Sequence, residues 1–198
     1  MNLEIVLATN NAHKVHEYRE IFKNLPIVFY SLSDLNIAID VKESGTNYAE
    51  NALIKAQAIR KFTALPILSD DSGLEIDSLD NFPGLHSSRF ALSSGGNISA
   101  NKKILKMMEN KKDRKASFHC AIVFLLNGDK PLYFEGICPG TILKERYGEG
   151  GFGYDPIFYS SEGNIRFGEA SEDEKNAFSH RAKASRKLIT YLKVKKLI

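Results

Sequence analysis

Leu65-Pro66-Ile67-Leu68-Ser69-Asp70-Asp71-Ser72-Gly73-Leu74 is the stretch from which the fold is read. The apolar run Leu65 to Leu68 has the length of a short buried strand. Two carboxylates and a glycine follow where that strand should end. Carboxylates are almost never fully buried without a partner. At a strand's end they face a metal, a phosphate or a water to be activated, or they belong to a polar turn, for which Asp, Ser and Gly are equally suited. Strand neighbours point to opposite faces, so Asp70 and Asp71 are not expected to share one role.

Upstream, Leu3 to Ala8 is a compact apolar strand, and Asn10 to Lys23 has helical spacing with Val15, Tyr18, Ile21 and Phe22 on one face. Asn47 to Thr63 is a second helix. Asn47 and Glu50 suit a capping box, and Ala49, Ala52, Leu53, Ala56, Ile59 and Thr63 form its apolar stripe. Downstream, Asn97 to Met108 is a third helix with Ile98, Ile104, Leu105 and Met108 turned inward. Ala116 to Leu126 and Pro131 to Leu143 read as a hairpin about the turn signal Asn127-Gly128-Asp129. Ser171-Glu172-Asp173-Glu174 offers another capping box, and the last helix runs from Ser179 to Lys195. The order is mixed α/β, and the hairpin argues against a purely parallel sheet.

The chain has 198 residues, 43% hydrophobic and 26% charged, enough for one sizeable core or one domain of two lobes. A net charge of +3 is a small excess for a nucleic-acid binder, so none is expected as a partner. Lys183, Arg186, Lys187, Lys193, Lys195 and Lys196 do crowd the C-terminus, yet a solvated helix face explains them as well as a nucleic-acid contact does. No apolar run approaches the roughly 18 residues of a membrane span. The opening Met1-Asn2-Leu3-Glu4-Ile5 lacks the basic and apolar regions of a signal peptide. Cys120 and Cys138 sit in strand-like context without a CxxC partner and read as buried free thiols, which fits a reducing compartment. A soluble cytoplasmic protein without a membrane partner is expected.

Gly148-Glu149-Gly150-Gly151-Phe152-Gly153 matches G-x-G-x-x-G literally. The dinucleotide fingerprint needs a strand before it and a helix directly after. Here Tyr154-Asp155-Pro156 follows, and Pro156 disfavours helix at Asp155. The Rossmann reading is set aside.

Other stretches carry candidate chemistry. Thr9-Asn10-Asn11-Ala12-His13-Lys14 joins a strand end to a helix start. Helix N-termini expose unpaired N–H groups and a positive dipole end, a ready anion site. Thr9 and Asn11 add side-chain donors and Lys14 a charge, although simple capping by Asn10 or Asn11 explains the asparagines equally well. Glu43 precedes the second helix and Lys55 projects from it, as a surface ion pair or as a magnesium ligand and a phosphate clamp. Magnesium uses one or two carboxylates plus substrate phosphates, which Glu43 with Asp70 or Asp71 would satisfy. Phe152-Gly153-Tyr154-Asp155-Pro156 suits stacking on a planar base and bonding its edge, or a packed turn. His180 and Arg181 offer several donors to a carbonyl oxygen, or a plain helix start.

The combination of these motifs in this order resembles the Ham1/RdgB-like family of inosine triphosphate pyrophosphatases, the non-canonical purine nucleoside triphosphate pyrophosphatases. The resemblance runs through Ala8 to Lys14, Glu43-Ser44-Gly45, Glu50 to Ala56, Ser69 to Leu74, Pro83-Gly84, Gly151 to Pro156, Glu174-Lys175-Asn176 and Ser179-His180-Arg181. Asn10 stands where the family's first turn often carries glycine, and asparagine tolerates left-handed backbone better than most residues.

The resemblance implies an elongated α/β fold around a long mixed sheet flanked by helices, one domain over residues 1–198 with two lobes and a central cleft. It implies a homodimer that cleaves inosine, deoxyinosine and xanthosine triphosphates to monophosphate and pyrophosphate with magnesium. By similarity, Thr9, Asn10, Asn11, Ala12, His13, Lys14 and Lys55 hold the triphosphate, and Glu43 and Asp71 are the metal ligands. Asp71 matches the general-base position, with Asp70 read as its support, and Ser72 a substrate contact. Phe152, Gly153, Tyr154, Asp155, Lys175, His180 and Arg181 match the nucleoside-binding positions. The competing expectations are a Maf-type pyrophosphatase for modified pyrimidine triphosphates, and a nucleotide- or RNA-binding module. The second leaves Glu43, Asp70 and Asp71 without a purpose, because carboxylates repel nucleic acid.

Overall fold

The computed structural model describes residues 2–128 and 130–198. Met1, and Asp129 of the turn expected after β5, lie outside the described residues. In chain order the elements are β1 (Leu3–Leu7), α1 (Ala12–Ile21), β2 (Ile27–Ser31), α2 (Tyr48–Arg60), β3 (Ile67–Ile76), β4 (Phe82–Pro83), α3 (Ser87–Ser93), α4 (Asn97–Met107), β5 (Lys115–Leu125), β6 (Leu132–Ile142), β7 (Phe158–Ser160), β8 (Ile165–Arg166), α5 (Glu172–Phe178) and α6 (His180–Val194). The strands form a large mixed sheet flanked by helices. Among the described residues no helix is long and apolar enough to cross a membrane.

The chain divides into two compact units. The first comprises residues up to Asp71, Cys120–Glu135 and Ala184–Ile198, and the second Ser72–His119 and Gly136–Lys183. In the first unit β1 pairs in parallel with β2 and with β3. β1 is apolar throughout its second half because both of its faces are covered. Ile5 and Leu7 join α1 and α6 residues Val15, Tyr18, Leu188 and Leu192 in one cluster. Val6 and Ala8 join the α2 residues Ala52, Ala56 and Ile59 in another. In the second unit β4 pairs antiparallel with β3, β7 with β6, and β8 with β7. Its core gathers Leu74, Ile76, Ile104, Met108, Phe118, Phe158 and Phe167.

The expected helices and strands are present, their ends shifted by up to three residues, β3 excepted. Asn11 caps α1, its side chain accepting from His13 N and Lys14 N. Ser171 and Glu174 form the full capping box of α5. At α2 only half of the expected box exists. Asn47 accepts from Glu50 N, but the Glu50 carboxylate takes Thr46 N and Thr46 Oγ1 instead of the cap's own amide. Two expectations fail outright. Ile98 is 56% exposed, because α4 buries the stripe Ala100, Asn101 and Ile104. A small and a polar residue on that stripe hid its phase. And β3 does not stop at Leu68: it continues through Ser69-Asp70-Asp71-Ser72-Gly73 to Ile76. The carboxylates therefore lie inside a ten-residue strand, and partners on the adjoining helices make that possible. Cys120 and Cys138 are buried free thiols, as expected.

Candidate active site

Within the first unit, strand alternation sends Asp70 toward α1 and Asp71 toward α2. Lys14, on the first turn of α1, places Nζ 2.9 Å from Asp70 Oδ2, and Cys120 Sγ lies 3.9 Å from the same oxygen. Lys55, on α2, places Nζ 2.7 Å from Glu43 Oε1 and 3.7 Å from Asp71 Oδ1. Asn51, one turn before Lys55, donates from Nδ2 to Asp71 Oδ2 at 2.9 Å. Burial pushes the Asp71 carboxyl above the usual carboxylate range, although Lys55 and Lys14 pull it down. Burial also works against the Lys55 ammonium, but the carboxylates of Asp71, Asp70 and Glu43 together outweigh it and hold its pKa above the ordinary lysine value.

Glu43 and Asp71 thus reach one cation, the Lys55 ammonium. Both are hard oxygen donors of the kind that magnesium takes. Among the described residues no group of three or more His, Cys, Asp or Glu is placed to hold a metal. A two-carboxylate site completed by substrate phosphates fits this donor set; a self-contained cage does not.

The turn before α1 is a capped helix start, with Asn11 as the cap. Thr9 Oγ1 accepts from Asn11 N at 3.1 Å, and Asn11 Oδ1 accepts from His13 N at 3.0 Å and Lys14 N at 3.3 Å. These bonds use the Thr9 and Asn11 oxygens as acceptors and do not involve the Thr9 hydroxyl proton or the Asn11 Nδ2 donor. Asn10 donates to Ile39 O at 2.9 Å, and it is not among the left-handed residues, so its replacement of glycine needs no special backbone. Ala12 and His13 are exposed at the helix start.

The second unit holds the remaining candidates. Asp155 is buried, and its Oδ2 accepts from Phe152 N at 2.6 Å and from Lys175 Nζ at 2.7 Å. The carboxylate ties the turn that carries Phe152 to α5. Gly151 adopts a left-handed conformation (φ +75°), and a Cβ there would run into that carboxylate. Two further anchors hold the turn. Tyr154 Oη donates to Ser87 O at 2.8 Å, and Asn101 Nδ2 donates to Gly153 O at 3.2 Å. The turn is thus firmly anchored, with Phe152 half-buried at its start. The G-x-G-x-x-G match leads into a short 3-10 turn at Asp155–Ile157, not a helix.

His180 opens α6 with its ring stacked on Phe118, centroids 4.8 Å apart and planes 12° apart. Ser179 Oγ accepts from Ala182 N at 3.2 Å and so caps the helix. Arg181 is 2% exposed and donates from Nη2 to Ser72 Oγ at 3.0 Å. Both side chains are buried, so the alternative of a plain, solvent-facing helix start does not hold for this pair.

The first unit thus brings together Lys14, Glu43, Lys55, Asp70 and Asp71. Within the second, Ser72 meets Arg181, and Asp155 meets both Phe152 and Lys175. Sequence reasoning passed over the contacts of Asn51, Ser87 and Asn101. A polar residue on a helix's inward stripe was the signal available at positions 51 and 101.

Residues 5–191 match the model of the Ham1 family. The chain is 42% identical to a dITP/XTP pyrophosphatase of Clostridium perfringens over 96% of this chain and 97% of that protein. The Ham1 protein of Staphylococcus aureus superposes with a TM-score of 0.85 at 34% identity, covering 97% of this chain and 99% of that one. A HAM1 protein of Coxiella burnetii gives 0.84 at 41% identity, covering 96% and 98%.

Proposed function

The chain belongs to the Ham1 family, and from that premise we propose that it hydrolyses non-canonical purine nucleoside triphosphates (dITP, XTP and ITP) to the monophosphate and pyrophosphate. The observation that carries this reading is the cluster of two lysines and three carboxylates in the first unit. Phosphoryl transfer needs positioning and neutralised charge more than covalent help. Lys14 and Lys55 each hold a carboxylate now, and a polyphosphate offers each a competing anionic partner. Glu43 and Asp71 would hold a magnesium ion, which when bound supplies charge neutralisation at the phosphates and lowers the pKa of water. Asp71, its carboxyl raised by burial, suits the general base that takes the proton of a water attacking the α-phosphorus, with pyrophosphate leaving. Asp70 supports it by fixing Lys14.

In the second unit Arg181 and His180 are assigned to the base. A guanidinium has five donors and no acceptor. It suits the 6-oxo group of hypoxanthine and xanthine, and meets the 6-amino group of adenine donor to donor. A site built on such bonds rejects a mismatched analogue by a factor of roughly 10⁴. Guanine shares the 6-oxo group, so its 2-amino group must be refused by shape near Phe152. Asp155 and Lys175 serve by shaping that turn. The expected assembly is a homodimer, and the two buried free thiols suit the reducing cytoplasm.

The test is product analysis with dITP, XTP, dATP, dGTP and a modified pyrimidine triphosphate, with and without magnesium. Pyrophosphate and monophosphate from dITP and XTP, dependent on magnesium, are expected. Orthophosphate as the product, equal turnover of all bases, or preference for the pyrimidine would overturn the reading. Sedimentation velocity tests the dimer.

A further inference from the structure

Asn51 sits fully buried on α2, and both ends of its amide are used. Oδ1 accepts from Gly45 N at 2.8 Å, and Nδ2 donates to Asp71 Oδ2 at 2.9 Å. The amide's orientation is settled by chemistry. A backbone N–H can only donate and an ionised carboxylate can only accept, so turning the amide over would break both bonds.

We propose that Asn51 is a positioning residue that locks the Glu43-Ser44-Gly45 segment and the Asp71 carboxylate into one register, and so sets where their oxygens stand for a divalent cation. This rests on the reading of Glu43 and Asp71 as metal ligands.

Three observations carry it. Asn51 and Lys55, one helical turn apart, address the two oxygens of Asp71 separately: Asn51 holds Oδ2, and Lys55 stands 3.7 Å from Oδ1. The carboxylate is thereby held at both oxygens, Oδ2 by a hydrogen bond and Oδ1 by the ammonium that also pairs with Glu43. The segment carrying Glu43 packs directly on Asn51, because a Cβ at Gly45 would lie 2.8 Å from Asn51 Oδ1 and 2.7 Å from Glu50 Cβ. Only glycine allows that approach. And the next amide, Thr46 N, is held by Glu50 at 2.7 Å, so two successive N–H groups of this segment are pinned to the first turn of α2. Asparagine does this without charge: an aspartate would repel Asp71, and a lysine would compete for it.

The experiment compares wild type with Asn51→Asp and Asn51→Leu. Asn51→Asp keeps the acceptor for Gly45 N and removes the donor to Asp71. Mn²⁺ affinity is read by calorimetry without nucleotide, kcat and KM with dITP and magnesium, and folding by thermal melts. Residues that orient metal ligands typically matter by about 10–100-fold in affinity or activity. The expected result is Mn²⁺ binding weakened by about tenfold and kcat lowered by about 10–100-fold, with KM changed by less than about threefold. Mn²⁺ affinity within twofold of wild type in a folded Asn51→Asp protein would overturn the proposal. So would losses that track the folded fraction alone, which would make Asn51 purely structural. Should neither Asn51 variant fold, Gly45→Ala disturbs the same link with Asn51 intact, and unaltered Mn²⁺ affinity there, or its failure to fold as well, would overturn it. A wild type that binds Mn²⁺ but leaves dITP intact would sink the proposed function, while the Mn²⁺ comparison still decides the role of Asn51.

Discussion

Lys175 Nζ stands 2.7 Å from Asp155 Oδ2 inside the second unit, with both side chains almost withdrawn from water. A buried pair of this kind gives weak net stability, but losing one partner leaves a charge in a poor solvent. The same carboxylate oxygen accepts from Phe152 N, so the ion pair and the aromatic turn stand or fall together.

Lys175→Met should therefore destabilise the protein by about 3–5 kcal/mol, and Asp155→Asn by a comparable amount. The double variant should recover much of the loss. Urea unfolding of all four proteins gives the coupling. Additive losses would show that the two side chains do not depend on each other.

Lys55→Met removes the cation shared by Glu43 and Asp71 and brings their repulsion into the open. A cost of about 1–3 kcal/mol is expected in metal-free buffer, less than for a fully dry pair because Glu43 is partly solvated. Magnesium should then raise the melting temperature of the variant more than that of wild type, since a ligand of the native state stabilises by mass action. Melts with and without magnesium check this, and an equal response in both proteins contradicts a shared cation position.

Tyr154 should report on alkaline unfolding. Burial raises its pKa well above the ordinary phenol value of 10.0. The folded protein keeps this proton while an unfolded chain releases it near pH 10, so the stability tied to Tyr154 is complete below that pH. It falls as pH rises further, by up to about 1.4 kcal/mol per pH unit. Tyr154→Phe should cost about 1–3 kcal/mol at neutral pH, because Ser87 O loses its donor, and should flatten the alkaline slope. Denaturant melts from pH 8 to 11 would expose an unchanged slope.

Ser171→Ala should cost about 1 kcal/mol through loss of the α5 cap. Bonds from the Ser171 hydroxyl and amide hold the Glu174 carboxyl below its ordinary value of 4.5. Its contribution is therefore present above that pH and lost as pH falls through the lowered value. Acid titration of stability in wild type and Ser171→Ala compares the two, and identical acid limbs would remove Glu174 from the cap's function.

Much of the fold was legible because it is local. The apolar run of β1, the caps Asn11 and Ser171, and the stripe Ala52, Ala56 and Ile59 on α2 are each written within a few residues. The candidate site was legible as a set of residue types, since acidic and basic groups near strand ends and helix starts have few other uses. Less legible was which way a polar group would turn. Thr9 and Asn11 spend their oxygens on backbone amides, and Asp155 turns toward Lys175. α3 carries no strong apolar period and was not foreseen.

Local pattern by itself determined that the main helices and strands exist, which acids and lysines are available, and that Asp70 and Asp71 must part to opposite faces, because backbone geometry depends on near neighbours. Tertiary structure alone decided that β3 continues through its carboxylates, that Lys14 and Lys55 neutralise them from two helices, and that Asn51 joins Gly45 to Asp71. A buried charge is tolerated only where a partner arrives, and those partners come from segments far away in the chain.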